Sequence, residues 1–167
     1  MEKAIADELL LVFSRPSGLG LIAGATGTGK STTTAALLKS IDPKRNRILT
    51  MEDPVEQTLP GARQIEVPPE ADRWHSLLRA LLRQAPDYLL VGEIRDPETA
   101  AITASASLTG HRILSTVHAG SPLGVRQRLQ ELGLDPQTQA RILNFVITQN
   151  WRKAPEKPGV AFETHLF

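Results

Sequence analysis

The 167-residue sequence contains no cysteine. That absence excludes a disulfide scaffold, a thiolate zinc site and a thiol nucleophile together. Aromatic residues are scarce, at 4% of the chain, which argues against the stacking platforms of single-strand nucleic-acid motors. Neither sign of charge dominates: the formal net charge is +1, so no basic stripe advertises nucleic acid and no acidic tail advertises solvation. The longest apolar run is Leu9 to Phe13, far short of the ~20 residues a membrane span needs. The charged start, Met1-Glu2-Lys3, does not resemble a signal peptide. There is no internal repeat and no low-complexity tract. What is present, 41% hydrophobic and 22% charged residues, is the composition of one globular domain.

Hydrophobic patterning then assigns elements. Ile5, Leu9, Val12 and Phe13 share one face at helical spacing over residues 2–14, and Arg15-Pro16-Ser17-Gly18 ends that helix. Four short runs are apolar on both faces: Leu19 to Ala23, Arg47 to Met51, Tyr88 to Val91 and Ile113 to Val117. Such runs are the mark of strands buried in a parallel sheet. Between them lie helical stretches over Lys30 to Ile41, Ala71 to Arg83 and Pro97 to Leu108. The Pro60-Gly61 turn leads into a further strand over Ala62 to Val67. Beyond His118 the pattern predicts helices over Pro122 to Leu132 and Pro136 to Gln149, the second capped by Asp135. A last extended piece runs from Gly159 to Glu163. Strands alternating with helices define an α/β domain with a mainly parallel sheet.

The strongest local signal is GATGTGKS, from Gly24 to Ser31, which satisfies G-x-x-x-x-G-K-[ST] at every fixed position. A buried strand precedes it and a helix follows. Glycines allow successive backbone N–H groups to turn inward around a phosphate, and the helix opening at Lys30 adds its positive end. Lys30 is placed to reach the β- and γ-phosphates, and the Ser31 hydroxyl to bind Mg²⁺.

Three further strands end in chemistry. The second runs into Glu52-Asp53, the third into Gly92-Glu93, and the fourth into His118. In parallel α/β sheets ligands sit beyond the carboxyl ends of the strands, so Glu52, Glu93 and His118 should converge with Lys30 on one edge. Glu93 is the residue placed to organise the Mg²⁺ shell and the attacking water; the plainer alternative is a surface carboxylate paired with Arg95. Glu52 is either a second water-polarising carboxylate or a loop acid capping a turn with Pro54. His118 reads as a γ-phosphate sensor, while His75 and His165 read as surface residues. No histidine pair has metal-ligand spacing.

Four ordered blocks resemble the secretion ATPase superfamily that powers type II secretion and type IV pili. GATGTGKSTT at 24–33 is similar to its Walker A, and ILTMEDPVE at 48–56 to its aspartate box. LLVGEIRDPETA at 89–100 is similar to its atypical Walker B, and TGHRILSTVHAGSP at 109–122 to its histidine box, with His111 and His118 matching. LRALLR at 78–83 resembles the arginine-bearing helix that precedes Walker B.

The resemblance implies a RecA-like P-loop domain, with helices on both faces of the sheet, over residues 1–167. It corresponds to the C-terminal ATPase domain only, without the family's N-terminal PAS-like domain. It implies ATP and Mg²⁺ as ligands, held by Gly24, Thr26, Gly27, Thr28, Gly29, Lys30, Ser31 and Thr32, with Ser31 and Glu93 at the metal. Glu93, Glu52 and His118 would be catalytic. Arg79, Arg83 and Arg95 would stabilise phosphate charge or a subunit interface. The implied assembly is a cytoplasmic homohexamer, without a transmembrane segment of its own, working against an inner-membrane platform protein. Three features depart from the family pattern: no four-cysteine zinc subdomain, Ala85 in place of an aspartate, and Gln149-Asn150-Trp151 in place of Gln-Arg-Leu. A second reading is therefore a hydrolytically weak, nucleotide-binding paralogue acting as an interaction or regulatory module. A nucleic-acid motor is disfavoured by composition, and a P-loop small-molecule kinase by the lack of an arginine-rich lid insertion.

Overall fold

The computed structural model describes residues 8–9, 11–68, 73–152 and 159–167. Residues 8–9 and 11–13 are helical; the remainder of the helix expected over 2–14 lies outside the described residues. The elements that follow are β1 (Gly18–Gly24), α1 (Lys30–Lys39), β2 (Ile48–Glu52), β3 (Arg63–Glu66) and α2 (Trp74–Leu82). Then come β4 (Tyr88–Val91), α3 (Pro97–Leu108), β5 (Arg112–Val117), α4 (Pro122–Glu131), α5 (Pro136–Ile142), β6 (Leu143–Arg152) and β7 (Gly159–Leu166). Residues 71 and 72, at the expected start of α2, lie outside the described residues.

Seven strands form one sheet in the order β3-β2-β4-β5-β1-β6-β7. All neighbouring pairs are parallel except β6–β7, which is antiparallel. Every residue of β1 and of β4 is buried, as runs apolar on both faces require. Alternate side chains feed two cores. Leu19 and Leu21 of β1 join Met51, Leu89 and Val91 under α2, α3, α4 and α5, through Leu78, Ile102, Leu129 and Ile142. Ile22 joins Leu90, Leu114 and Phe145 on the other face, under Leu37 and Leu38 of α1 and under Leu9 and Phe13. Helices therefore cover both faces.

Three helices start alike, with a capping side chain followed by proline. Asp96 accepts from the Thr99 N–H, Ser121 from the Gly124 N–H, and Asp135 from the Gln137 and Thr138 N–H groups. The helix expected over Pro136 to Gln149 is corrected: it ends at Ile142, and Leu143–Arg152 is a strand. Leu143, Val146 and Ile147 do fit a helical face. However, β1 needs a partner for the backbone groups on its second edge, and β6 supplies it from Leu143 to Gln149. The segment Phe145-Val146-Ile147-Thr148 is rich in β-formers. Phe145 faces the α1-side core while Val146 faces the other, so tertiary pairing overrides the local helical spacing.

Candidate functional site

At the carboxyl edge of the sheet, β1 runs directly into the glycine loop, which enters α1 at Lys30. Two glycines answer to the loop's geometry, one for space and one for its backbone angle. A Cβ on Gly24 would stand 2.5 Å from the Gln149 carbonyl oxygen and 2.6 Å from Thr28 Oγ1. Gly29, the N-cap of α1, has φ +86°, in the left-handed region that glycine enters at no steric cost. Thr28 is almost fully buried; its hydroxyl donates to the Ala25 carbonyl at 2.8 Å and closes the loop from within.

Lys30 folds over this loop. Its Nζ donates to the carbonyls of Gly24 at 2.9 Å and Ala25 at 3.1 Å. Burial holds its ammonium below the usual lysine range, while Glu93 and Glu56 pull it part of the way back. A charge so placed is short of solvent and has acidic neighbours across the cavity.

That cavity holds about 580 Å³. Gly27, Lys30, Ser31 and Thr32 line one side; Glu52, Glu93, Arg95 and His118 line the other, with Trp74 and Leu59 also in the wall. The parallel register of β2, β4 and β5 brings the three strand-end residues together as expected. Glu93 is mostly shielded, with 16% of its side chain exposed, and one oxygen takes the Arg95 Nε–H at 2.7 Å. Its other oxygen lies 3.3 Å from His118 Nε2. Arg95 also bonds Asp53 at 3.2 Å. Its guanidinium pKa is raised, mainly by the hydrogen bond to Glu93. The pairing with Arg95 that would mark a plain surface carboxylate is thus present, but inside the cavity.

Glu52 does not cap a turn with Pro54. One of its oxygens accepts from the Thr50 hydroxyl at 2.6 Å and from Gln64 Nε2 at 3.1 Å. Gln64 also holds the Gln57 carbonyl, and Gln57 Nε2 reaches Thr32 Oγ1 at 3.3 Å. A chain of amides therefore links the β2 carboxylate to the start of α1. Gly92 is where β4 leaves the sheet: a Cβ there would sit 3.1 Å from the Met51 carbonyl and 3.3 Å from Glu52 Cα, so Glu52 and Glu93 can approach closely.

Gly24 and Thr28 shape the loop from behind; Thr26, Gly27, Gly29, Lys30, Ser31 and Thr32 face the cavity. Arg79 and Arg83 do not line it; Arg79 instead bonds Glu98 at 2.9 Å. His111 contacts the Ala106 carbonyl at 3.2 Å, at the end of α3. His75 is not a bare surface residue, since Nε2 meets Asp96 at 2.9 Å and Nδ1 meets Glu98 at 3.2 Å. Gln57, Gln64 and the Asp53–Arg95 bond carried no local signal in the sequence, and Gln149 stood out only within the stretch aligned with the family's Gln-Arg-Leu.

Among the described residues no group of three histidine and carboxylate side chains could hold an ion alone. The oxygen donors of Ser31 and Glu93 line the same cavity and fit Mg²⁺, a hard ion bound through few protein ligands plus phosphate oxygens and water. The loop and Lys30 fit a polyphosphate.

Comparison with known proteins adds four findings. The family described as "Type II/IV secretion system protein" matches residues 1–155. Type II secretion system protein E of Klebsiella pneumoniae is 45% identical over 150 residues, covering 89% of this chain and 30% of that protein. The type IV pilus assembly ATPase PilB of Thermus thermophilus is 45% identical over 139 residues, covering 83% of this chain and 16% of that protein. Among solved structures, the pilus retraction motor PilT with bound ADP superposes with a TM-score of 0.81 at 32% identity, covering 96% of this chain and 50% of that one. The chain thus spans less than a third of the length of the two curated relatives.

Proposed function

Because the chain belongs to the type II/IV secretion system protein family, we propose that it is the ATP-binding and ATP-hydrolysing motor domain of a type II secretion or type IV pilus ATPase. The carrying observation is Glu93: a shielded carboxylate at the end of β4, steered by Arg95 and His118, across one cavity from the Lys30 loop.

On this reading the loop N–H groups and Lys30 bind the phosphates, and Lys30 exchanges its Gly24 and Ala25 carbonyls for phosphate oxygens. Mg²⁺ would supply charge neutralisation at the β- and γ-phosphates, held on the protein side by Ser31 and Glu93. Glu93 orients the attacking water and accepts its proton. Arg95 and His118 fix the direction in which Glu93 points, and Glu52 polarises the same water from β2. Asp53 holds Arg95, which keeps the carboxylates of two neighbouring strands from repelling each other freely. Assembly as a hexamer, and work against an inner-membrane platform protein, rest on the resemblance alone and belong to a longer protein.

The test is Glu93→Gln. Mg·ATP should still bind by calorimetry, while phosphate release falls by roughly 10²–10⁴-fold, the contribution typical of a positioned general base. Glu52→Gln should cost less. An inactive Glu52→Gln beside a Glu93→Gln of unchanged rate would move the base to β2. Tight ATP binding with no release from the unaltered chain, alone or assembled, would favour the regulatory reading.

A further inference from the structure

Most of the seven aromatic side chains have a structural explanation. Phe13, Tyr88 and Phe145 pack together in the core. Trp74 lines the same cavity as Glu93, and Phe167 lies under the Arg126 guanidinium. Trp151 and Phe162 remain, 59% and 44% exposed.

Both sit on the antiparallel β6–β7 pair. Gln149 pairs with Phe162 and Trp151 with Val160, so alternation places these four side chains on one face. Gln149 locates that face. It is buried, and its Nε2 donates to the Thr28 carbonyl of the phosphate loop at 3.2 Å. The face that carries Trp151 is therefore the face that supports the loop. Two residues along a strand advance about 7 Å, so Trp151 stands one such step beyond the loop, on the solvent side.

A bound triphosphate has two ends. Glu52, Glu93 and His118 all lie on the β2–β4–β5 side of β1, and that side takes the γ end. The nucleoside must then leave the loop by another route, and the other neighbour of β1 is β6. We propose that Trp151 and Phe162 form a nucleobase platform, on which the purine of a loop-bound nucleotide stacks. The inference rests on the nucleotide reading above and extends it to the base end. Stacking uses the ring face, which is larger in purines, so the platform should favour ATP over CTP.

The experiment compares Mg·ATP, Mg·CTP and inorganic triphosphate with Mg²⁺ on the 167-residue chain by calorimetry. ATP should bind at least about fivefold more tightly than triphosphate, the lower range of base–aromatic stacking measured by alanine substitution. Trp151→Ala should remove that advantage and leave triphosphate affinity unchanged, which also shows that the loop is intact. The chain has two tryptophans, so Trp74→Phe leaves Trp151 as the sole reporter. Its emission should be quenched by ATP and not by triphosphate.

An ATP-to-triphosphate ratio untouched by Trp151→Ala, or quenching confined to Trp74, would overturn the platform while sparing the phosphate site. Trp151→Ala that abolishes self-association in sedimentation, with ATP affinity unchanged, would assign the rings to contact between copies and equally overturn it. Failure of both ATP and triphosphate to bind would overturn the nucleotide reading, and the platform with it.

Discussion

The two flanks of the loop-bearing strand β1 differ sharply in chemistry. On the β5–β4–β2 side the strand ends carry His118, Glu93 and Glu52, held in two bonded groups: Glu93 with His118, Arg95 and Asp53, and Glu52 with Thr50 and Gln64. On the β6–β7 side the corresponding ends carry one buried amide, Gln149, and two exposed rings. The first flank offers charge at fixed positions; the second offers surface and a brace for the loop. A ligand matched to both would be charged and reactive at one end and flat and neutral at the other. The contrast also separates two duties of a parallel sheet edge, since one set of strands aims side chains at a reaction and the other keeps the loop in shape.

The largest way to break this contrast after loss of Glu93 is Lys30→Ala, at the junction of the two flanks. Removing a charge-assisted contact to phosphate should weaken Mg·ATP roughly 10- to 100-fold, and inorganic triphosphate by the same factor, as calorimetry would show. Unchanged ATP affinity would mean that the loop is not the phosphate site.

Next is the brace. Gln149→Ala removes the donor to the Thr28 carbonyl and opens a small void, which should cost about 1–3 kcal/mol of stability. Thermal unfolding should report that loss, and ATP affinity should fall with it, because the loop loses its support from below. Gln149 Oε1 has no partner among the described residues, so part of the cost is offset by relief of that buried acceptor.

Asp96 sharpens the other flank, where it caps α3 just behind Arg95. Asp96→Ala should cost about 0.5–2 kcal/mol, the usual worth of such a cap. Burial alone would raise its carboxyl pKa, but hydrogen bonds from the Thr99 hydroxyl and N–H and the contact with His75 outweigh burial and hold it below the ordinary value. A depressed carboxyl contributes stability that is present above the unfolded-state pKa and lost as pH falls through the folded one. The wild-type protein should therefore lose this increment only in acid below the ordinary aspartate range, and Asp96→Ala should flatten the acid limb of a stability–pH curve.

The smallest effect serves as a control away from both flanks. Ala85 follows α2 with φ +47°, where a Cβ is strained by about 1–2 kcal/mol. Ala85→Gly should relieve that strain but lose part of the gain to unfolded-state entropy, leaving up to about 1 kcal/mol in thermal unfolding. ATP affinity should not move.

Much of the chemical flank is legible in the linear order of residues. The loop from Gly24 to Ser31 and the residues Glu52, Glu93 and His118 each follow an apolar run, and parallel strands bring such positions to one edge whatever their separation along the chain. Apolar stretches buried on both faces likewise announce β1, β2, β4 and β5. Local periodicity fails where partners are remote. Leu143, Val146 and Ile147 fit a helical face, yet the segment is a strand because β1 has an open edge to fill. Gln149 lies 121 positions from Thr28, and Gln64 meets Glu52 only because β3 docks beside β2. Residue order by itself determined which side chains end the strands and where the phosphate loop must turn, because both depend on steric and hydrophobic patterns a few residues long. Only the tertiary structure decided how Glu52 and Glu93 are held, what supports the loop, and that Trp151 shares a face with Gln149, because hydrogen bonds and strand register between distant segments exist only once the sheet has closed.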